Sequence, residues 1–280
     1  MDTKIALFAI LVLSLIVFIA YVIYRKNIRR KTRDAKRKIK QLRENKTISE
    51  DFINFPKYYI NLDRSEDRRK NMEKEIEEYG LKNIKRVSAF DGKKLENRRE
   101  GTIDGYEYKN INDKKCIKSE IAITMSHIKA IQEAFKDGHE KALIFEDDMS
   151  MTLVPHWKIS FAKLLKNIPG ECDILLLSND DKGNKPKIIS EKEKCNGRNG
   201  GAYIITESGM MKLSKFLKHK SFNFHNYDKM IWDIHIMNDL NVYHSNISLF
   251  LQYNFYLNSE RINDNQTFCP ISYKSLLKYF

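Results

Sequence analysis

Apolar residues run without a charge from residue 5 to residue 24, where only Ser14, Tyr21 and Tyr24 carry polar side-chain atoms. A stretch of that length at about 1.5 Å per residue reaches roughly 30 Å, the thickness of a bilayer core. A secretory leader has a shorter apolar core and a small-residue cleavage site, so residues 5–24 read as an uncleaved transmembrane anchor. From residue 57 the pattern changes to short apolar runs alternating with helical periods. Lys57-Tyr-Tyr-Ile-Asn-Leu62 predicts a first strand. Ser65 is placed to cap a helix with Glu66 and Asp67 in its first turn. That helix carries Met72, Ile76 and Tyr79 on one face and stops at Gly80. Residues 84–90 predict a second strand leading into an Asp91-Gly92 turn. Strand, helix and strand in this order open an α/β sheet with parallel pairing.

Residues 93–117 are polar and weakly patterned and read as a loop. Residues 119–135 form the strongest helical period, with Ile121, Met125, Ile128, Ile131 and Phe135 on its apolar face and Gly138 as its stop. Lys141-Ala-Leu-Ile-Phe then reads as a buried strand. A helix over 157–167, a strand over 172–178, a glycine-rich turn before a strand ending at Thr206, helices over 207–219 and 228–240, and a short strand at 242–244 complete the pattern. The alternation through residues 57–250 predicts one α/β domain. The chain divides into a flank (1–4), the anchor (5–24), a stem (25–50) and a domain (51–280).

Charge sharpens this division. The formal net charge is +13, and residues 25–43 hold eleven Lys and Arg against a single Asp34. The basic character therefore belongs to the stem, where it suits anionic headgroups. Aromatic residues are not interleaved with it, which argues against a nucleic-acid partner. The positive-inside bias places residues 25–280 in the cytoplasm. The sequons at Asn45, Asn246 and Asn265 are the opposing observation, since they would be used only in a secretory lumen. The four cysteines, Cys116, Cys172, Cys195 and Cys269, are too widely spaced for a zinc site or a disulfide framework.

Candidate chemistry centres on Glu146-Asp147-Asp148, which closes the strand begun at Lys141. Adjacent like charges call for a cation or a basic partner, and the alternative is a solvated acidic turn. In extended backbone Glu146 and Asp148 face one side and Asp147 the other. That offers two oxygens to a divalent cation such as Mn²⁺ or Mg²⁺ and a third group to a ribose or a neighbouring base. Strand ends in open α/β sheets are where ligands bind. Asp63 and Arg64 fall at the same rim and suit nucleotide contact, or an ordinary strand–helix turn. His127 reads either as a site residue or as a satisfied core histidine. Gly201 lies in a turn that lets backbone approach a sugar or phosphate, or simply begins a strand. Asp233, with Asp228 behind it, is the candidate general base, against a solvated helix carboxylate. Asn179-Asp-Asp181 is a rival metal site.

Four motifs follow one another in a recognisable order: Tyr59-Ile-Asn-Leu-Asp-Arg-Ser-Glu-Asp-Arg-Arg69, Val87-Ser-Ala-Phe-Asp-Gly92, Ser119-Glu-Ile-Ala-Ile-Thr-Met-Ser-His127 and Ala142-Leu-Ile-Phe-Glu-Asp-Asp148. Together with Gly201-Ala-Tyr-Ile-Ile-Thr206, Trp232-Asp233 and Ser248-Leu-Phe-Leu-Gln252, they resemble glycosyltransferase family 25, the lipooligosaccharide and procollagen galactosyltransferases. The helix motif departs from the family's pattern at Ala122-Ile-Thr-Met, and the glycine turn departs at Asn199-Gly-Gly.

The resemblance implies a GT-A-like, Rossmann-type mixed sheet with helices on both faces. It also implies a UDP-hexose donor (galactose or glucose), a Mn²⁺-type metal at Glu146 and Asp148, and inversion at the sugar. The acceptor would be a hydroxyl of a glycan, a lipid-linked saccharide or a protein. The competing reading is a catalytically silent scaffold held at a membrane by its basic stem.

Overall fold

β1 (Lys57–Asn61) is buried at every position, the mark of a strand covered on both faces. The computed structural model describes residues 12–27, 30, 47–97, 100–103, 105–110, 118–157, 159–178, 188–190, 200–217, 221–224, 240–245 and 249–252. Residues 12–27 are helical (α1), with most of their apolar side chains exposed. Among the described residues no helix is long and apolar enough to cross a membrane. Residues 5–11 of the expected anchor lie outside them.

After α2 (Glu50–Asn54) come β1, α3 (Glu66–Glu78) and β2 (Ile84–Ser88), with β2 parallel to β1. β5 (Lys141–Glu146) lies parallel to β1 on its other side, the register placing Ile60 opposite Glu146. β9 (Ala202–Thr206) runs antiparallel to β5 and to β7 (Ile174–Leu176). β11 (Val242–Ser245) is parallel to β7, and β8 (Ile188–Ser190) pairs antiparallel at its edge. The seven-stranded order is β2-β1-β5-β9-β7-β11-β8, an α/β sheet as the alternation of elements predicts, but mixed rather than purely parallel, as the family resemblance implies.

Helices cover both faces. α4 (Lys118–Lys136) and α6 (Glu207–Leu217) pack on one face through Ile121, Met125, Ile128, Met210 and Leu213, against Tyr58, Ile144 and Tyr203. On the other face, Met72 of α3 and Phe161 and Leu164 of α5 (Phe161–Lys166) meet Tyr59, Leu143, Phe145 and Ile204. α4 is followed by Gly138 at φ +77°, which a side chain would disfavour, so its stop is where the pattern predicts.

The segment 93–117 departs from the loop reading. Within it, β3 (Glu100–Ile103) and β4 (Tyr106–Asn110) form an antiparallel hairpin, joined by β10 (Ser221–Phe224) parallel to β4. The pairing is non-local, so the segment's own polar pattern does not announce it. The helix expected over 157–167 is present but shorter, as α5, and a 3₁₀ segment, Met151–His156, which contains Pro155, precedes it. Between β5 and this segment, β6 (Met149–Ser150) pairs antiparallel with β12 (Leu251–Gln252).

Candidate active site

The C-terminal ends of β1, β2 and β5 and the N-terminal end of β9 meet at one rim of the sheet. There a cavity of about 590 Å³ opens between that rim and the first turns of α4, a volume that suits a small-molecule ligand. Its walls are Ile60 and Leu62 from the end of β1, Ala89 to Lys93 beyond β2, Glu146 and Asp147, and the α4 residues Lys118 to His127 that face it. Arg64 and Arg68 close the remaining side. Ser126 fixes one wall: its Oγ accepts from Phe90 N (2.9 Å) while donating to Ala122 O (2.6 Å). Gly92 fixes another, because a Cβ there would meet Lys118 O at 2.8 Å and the Ser119 backbone at 2.9 Å.

β5 ends at Glu146 and the chain turns through Asp147 and Asp148. The alternation expected of extended backbone therefore stops one residue early. Glu146 and Asp147 border the cavity, while Asp148 is buried beside it. One guanidinium bridges the two aspartates: Arg68 Nη1 lies 2.9 Å from Asp147 Oδ1 and Nη2 lies 2.7 Å from Asp148 Oδ2. The second oxygen of Asp147 accepts from Asn61 Nδ2 at 2.7 Å. Burial pushes the Asp147 carboxyl above the usual carboxylate range, and Arg68 and Asn61 pull against that.

The same helix holds the far end of the turn. Glu75 accepts from Met151 N (2.7 Å) and from Ser150 Oγ (3.0 Å). Arg68, Met72 and Glu75 are spaced i, i+4, i+7 and so share one face of α3. Sequence reasoning missed Arg68, Asn61 and Glu75. The signal for Arg68 was its place in the first turn of a helix leaving a parallel strand, which sets it at the strand-end rim.

His127 is buried and joins the cavity to the core. Its Nδ1 is 3.1 Å from the Tyr203 hydroxyl, and its Nε2 is 3.4 Å from Glu146 Oε1 without a formed hydrogen bond. A carboxylate beside Nε2 favours the tautomer protonated there, which leaves Nδ1 to accept from the phenol. Burial raises the Tyr203 phenol well above its ordinary pKa, so it remains a donor. Tyr203 was not singled out in the sequence, although it lies in the Gly201-Ala-Tyr motif.

The remaining expected residues are placed as follows. Arg64 borders the cavity, its Nε donating to Asp91 Oδ2 at 2.7 Å, and this pairing lowers the Asp91 pKa. Asp63 does not border the cavity. Its carboxylate turns to the Arg86 guanidinium and the Ser88 hydroxyl (2.8 Å), and these bonds lower its pKa. Gly201 lies behind the turn, with its carbonyl accepting from Glu146 N at 2.8 Å. Lys93 and Lys118 add positive charge near Arg64 and Arg68. Asp233, Asp228 and the segment 179–181 lie outside the described residues.

Carboxylate oxygens are the donors that Mg²⁺ and Mn²⁺ prefer, and Glu146 and Asp147 offer them on the cavity side. Among the described residues no three His, Cys, Asp or Glu side chains gather into a closed metal cage. Such an ion usually keeps one or two carboxylates and completes its shell with phosphate and water. Glu146 suits that role directly, whereas both Asp147 oxygens are engaged by Arg68 and Asn61, so Asp147 would have to exchange one of these partners to join it.

Residues 54–231 match the family model of glycosyltransferase family 25, described as an LPS biosynthesis protein. The match covers more than half of the 280 residues. It contains the rim, the acidic turn, α4 and β9. No curated protein matches the chain.

Proposed function

The chain belongs to glycosyltransferase family 25, and from that membership we propose that it moves a hexose from a UDP-sugar to a hydroxyl acceptor with inversion, on a GT-A-like fold. The observation that carries this reading is the cavity at the strand-end rim, where Glu146 and Asp147 face Arg64, Arg68, Lys93 and Lys118. A sugar diphosphate needs such a mixture: cations for its phosphates and carboxylates for a divalent ion and sugar hydroxyls.

Glu146 and Asp147 would hold the metal from the cavity side, with Asp148 tied in through Arg68. When bound, a Mn²⁺ or Mg²⁺ ion would offset the charge that develops on the departing diphosphate. Arg64, Lys93 and Lys118 orient the phosphates. Asn61 and Arg68 keep the Asp147 carboxylate directed at the rim. His127 holds its Nε2 proton toward Glu146 and the sugar end of the cavity. Asp233 is proposed as the base that takes the acceptor's hydroxyl proton as its oxygen bonds to the anomeric carbon.

The apolar run 5–24 and the basic stem support an anchored enzyme acting at a membrane surface, with its domain on the cytoplasmic side. The test is the full chain with UDP-galactose and UDP-glucose, with and without Mn²⁺, following UDP release. Metal-dependent release from either donor supports the reading. No release from either donor, together with no UDP binding, refutes it and leaves the silent scaffold.

A further inference from the structure

Arg68 occupies a position that a catalytic divalent cation would contest. Its two terminal nitrogens pair with Asp147 and Asp148 at 2.9 and 2.7 Å, yet its side chain is 37% exposed and borders the cavity. A guanidinium matches a carboxylate pair and a diphosphate equally well. One guanidinium thus already offsets part of the negative charge of the aspartate pair.

We propose that Arg68 is an exchangeable counter-ion: it holds Asp147 and Asp148 in the free enzyme and turns to the diphosphate of the donor, so that cation and donor bind as a linked pair. The inference rests on the sugar-nucleotide reading above. With Arg68 in place, an incoming Mn²⁺ meets a positive charge a few ångströms away, and cation binding alone is weak. A diphosphate supplies Arg68 with a replacement partner and removes that opposition. Linkage then requires the converse: Mn²⁺ must strengthen UDP binding by the same factor. Arg64 is tied to Asp91 rather than to the triplet, so it does not contribute to the exchange.

The experiment measures Mn²⁺ binding to the full chain, by the electron paramagnetic resonance signal of free Mn²⁺, with and without saturating UDP. In the wild type, UDP should tighten Mn²⁺ binding about tenfold or more, within the usual range of coupling between sites. Arg68→Gln should bind Mn²⁺ alone about tenfold tighter than the wild type, and UDP should add no more than about threefold. Arg68→Lys keeps the charge but loses the two-pronged bridge, and should fall between them; it carries the test if the Gln variant melts early.

Coupling that is unchanged in both variants overturns the exchange and leaves the sugar-nucleotide reading intact. Mn²⁺ binding that persists in Glu146→Gln/Asp147→Asn lies elsewhere on the chain and also overturns it. If neither Mn²⁺ nor UDP binds the wild type, the underlying reading fails as well.

Discussion

Asn61 and Asp147, 86 residues apart in sequence, are joined by a buried hydrogen bond of 2.7 Å that fastens the end of β1 to the acidic turn after β5. The same amide group donates to Ser65 O, and its oxygen accepts from Arg86 Nε at 3.0 Å. One side chain thus sets the start of α3, the edge of β2 and the direction of a site carboxylate. Asn61→Ala would leave Asp147 short of a donor in a buried place, at a cost of about 1–3 kcal/mol. The expected result is a lowered melting temperature and a sharp loss of donor turnover. Chemical denaturation beside UDP-release kinetics checks both.

The His127–Glu146 contact makes a different prediction. His127→Gln removes the Nε2 donor from the cavity, and turnover should fall about 10- to 100-fold. Tyr203→Phe removes only the hydroxyl that donates to His127 Nδ1, and should cost less. UDP-release kinetics of the two variants, beside their melting temperatures, check the order.

Gly92→Ala would push the turn after β2 away from the start of α4, because both near neighbours are backbone and cannot swing aside. The cavity wall would shift by a few tenths of an ångström or more. Overpacking of this kind costs about 1–3 kcal/mol, and the donor KM should rise more than kcat falls. Initial rates across a UDP-sugar series give the split.

Lys57 gives a stability prediction remote from the cavity. Its side chain is fully buried and donates to the carbonyls of Ile53 (2.9 Å), Phe55 (2.7 Å) and Lys82 (3.3 Å). Burial lowers its pKa from 10.5 to about 7. Between those values the unfolded chain holds one more proton than the folded one, so stability rises with pH, by at most about 1.4 kcal/mol per unit. Below pH 7 both states are protonated and the slope vanishes. Urea melts from pH 6 to 10 should show the rise in the wild type and not in Lys57→Met. Equal slopes would mean that the three carbonyls keep the ammonium charged throughout.

Much of the framework is legible from local pattern. β1, α3, α4 and β5 announce themselves by apolar period and stop signals, and the acidic turn does fall at the strand-end rim. Legibility fails where partners are distant. The hairpin β3–β4 is held by pairing rather than by its own composition. Asp63 looks like a rim ligand by position, but Arg86 and Ser88 on the neighbouring strand turn it aside. The facing of Asp147 and Asp148 depends on where β5 stops, and that is set by Arg68, Asn61 and Glu75 from other elements. Residue spacing predicts neighbours along a chain; it does not see a helix reaching across from elsewhere.

The buried ammonium of Lys57 has a geometric consequence. It binds the carbonyls at the end of α2 to the first residue of β1, so the leading segment joins the sheet at the end of β1 opposite the cavity. β1 spans roughly 17 Å at about 3.3 Å per residue, and the cavity opens beyond its far end. Residues 47–56 therefore meet the sheet a strand's length from the cavity, and a disturbance there would reach the acidic turn along β1 and through the bond from Asn61 to Asp147.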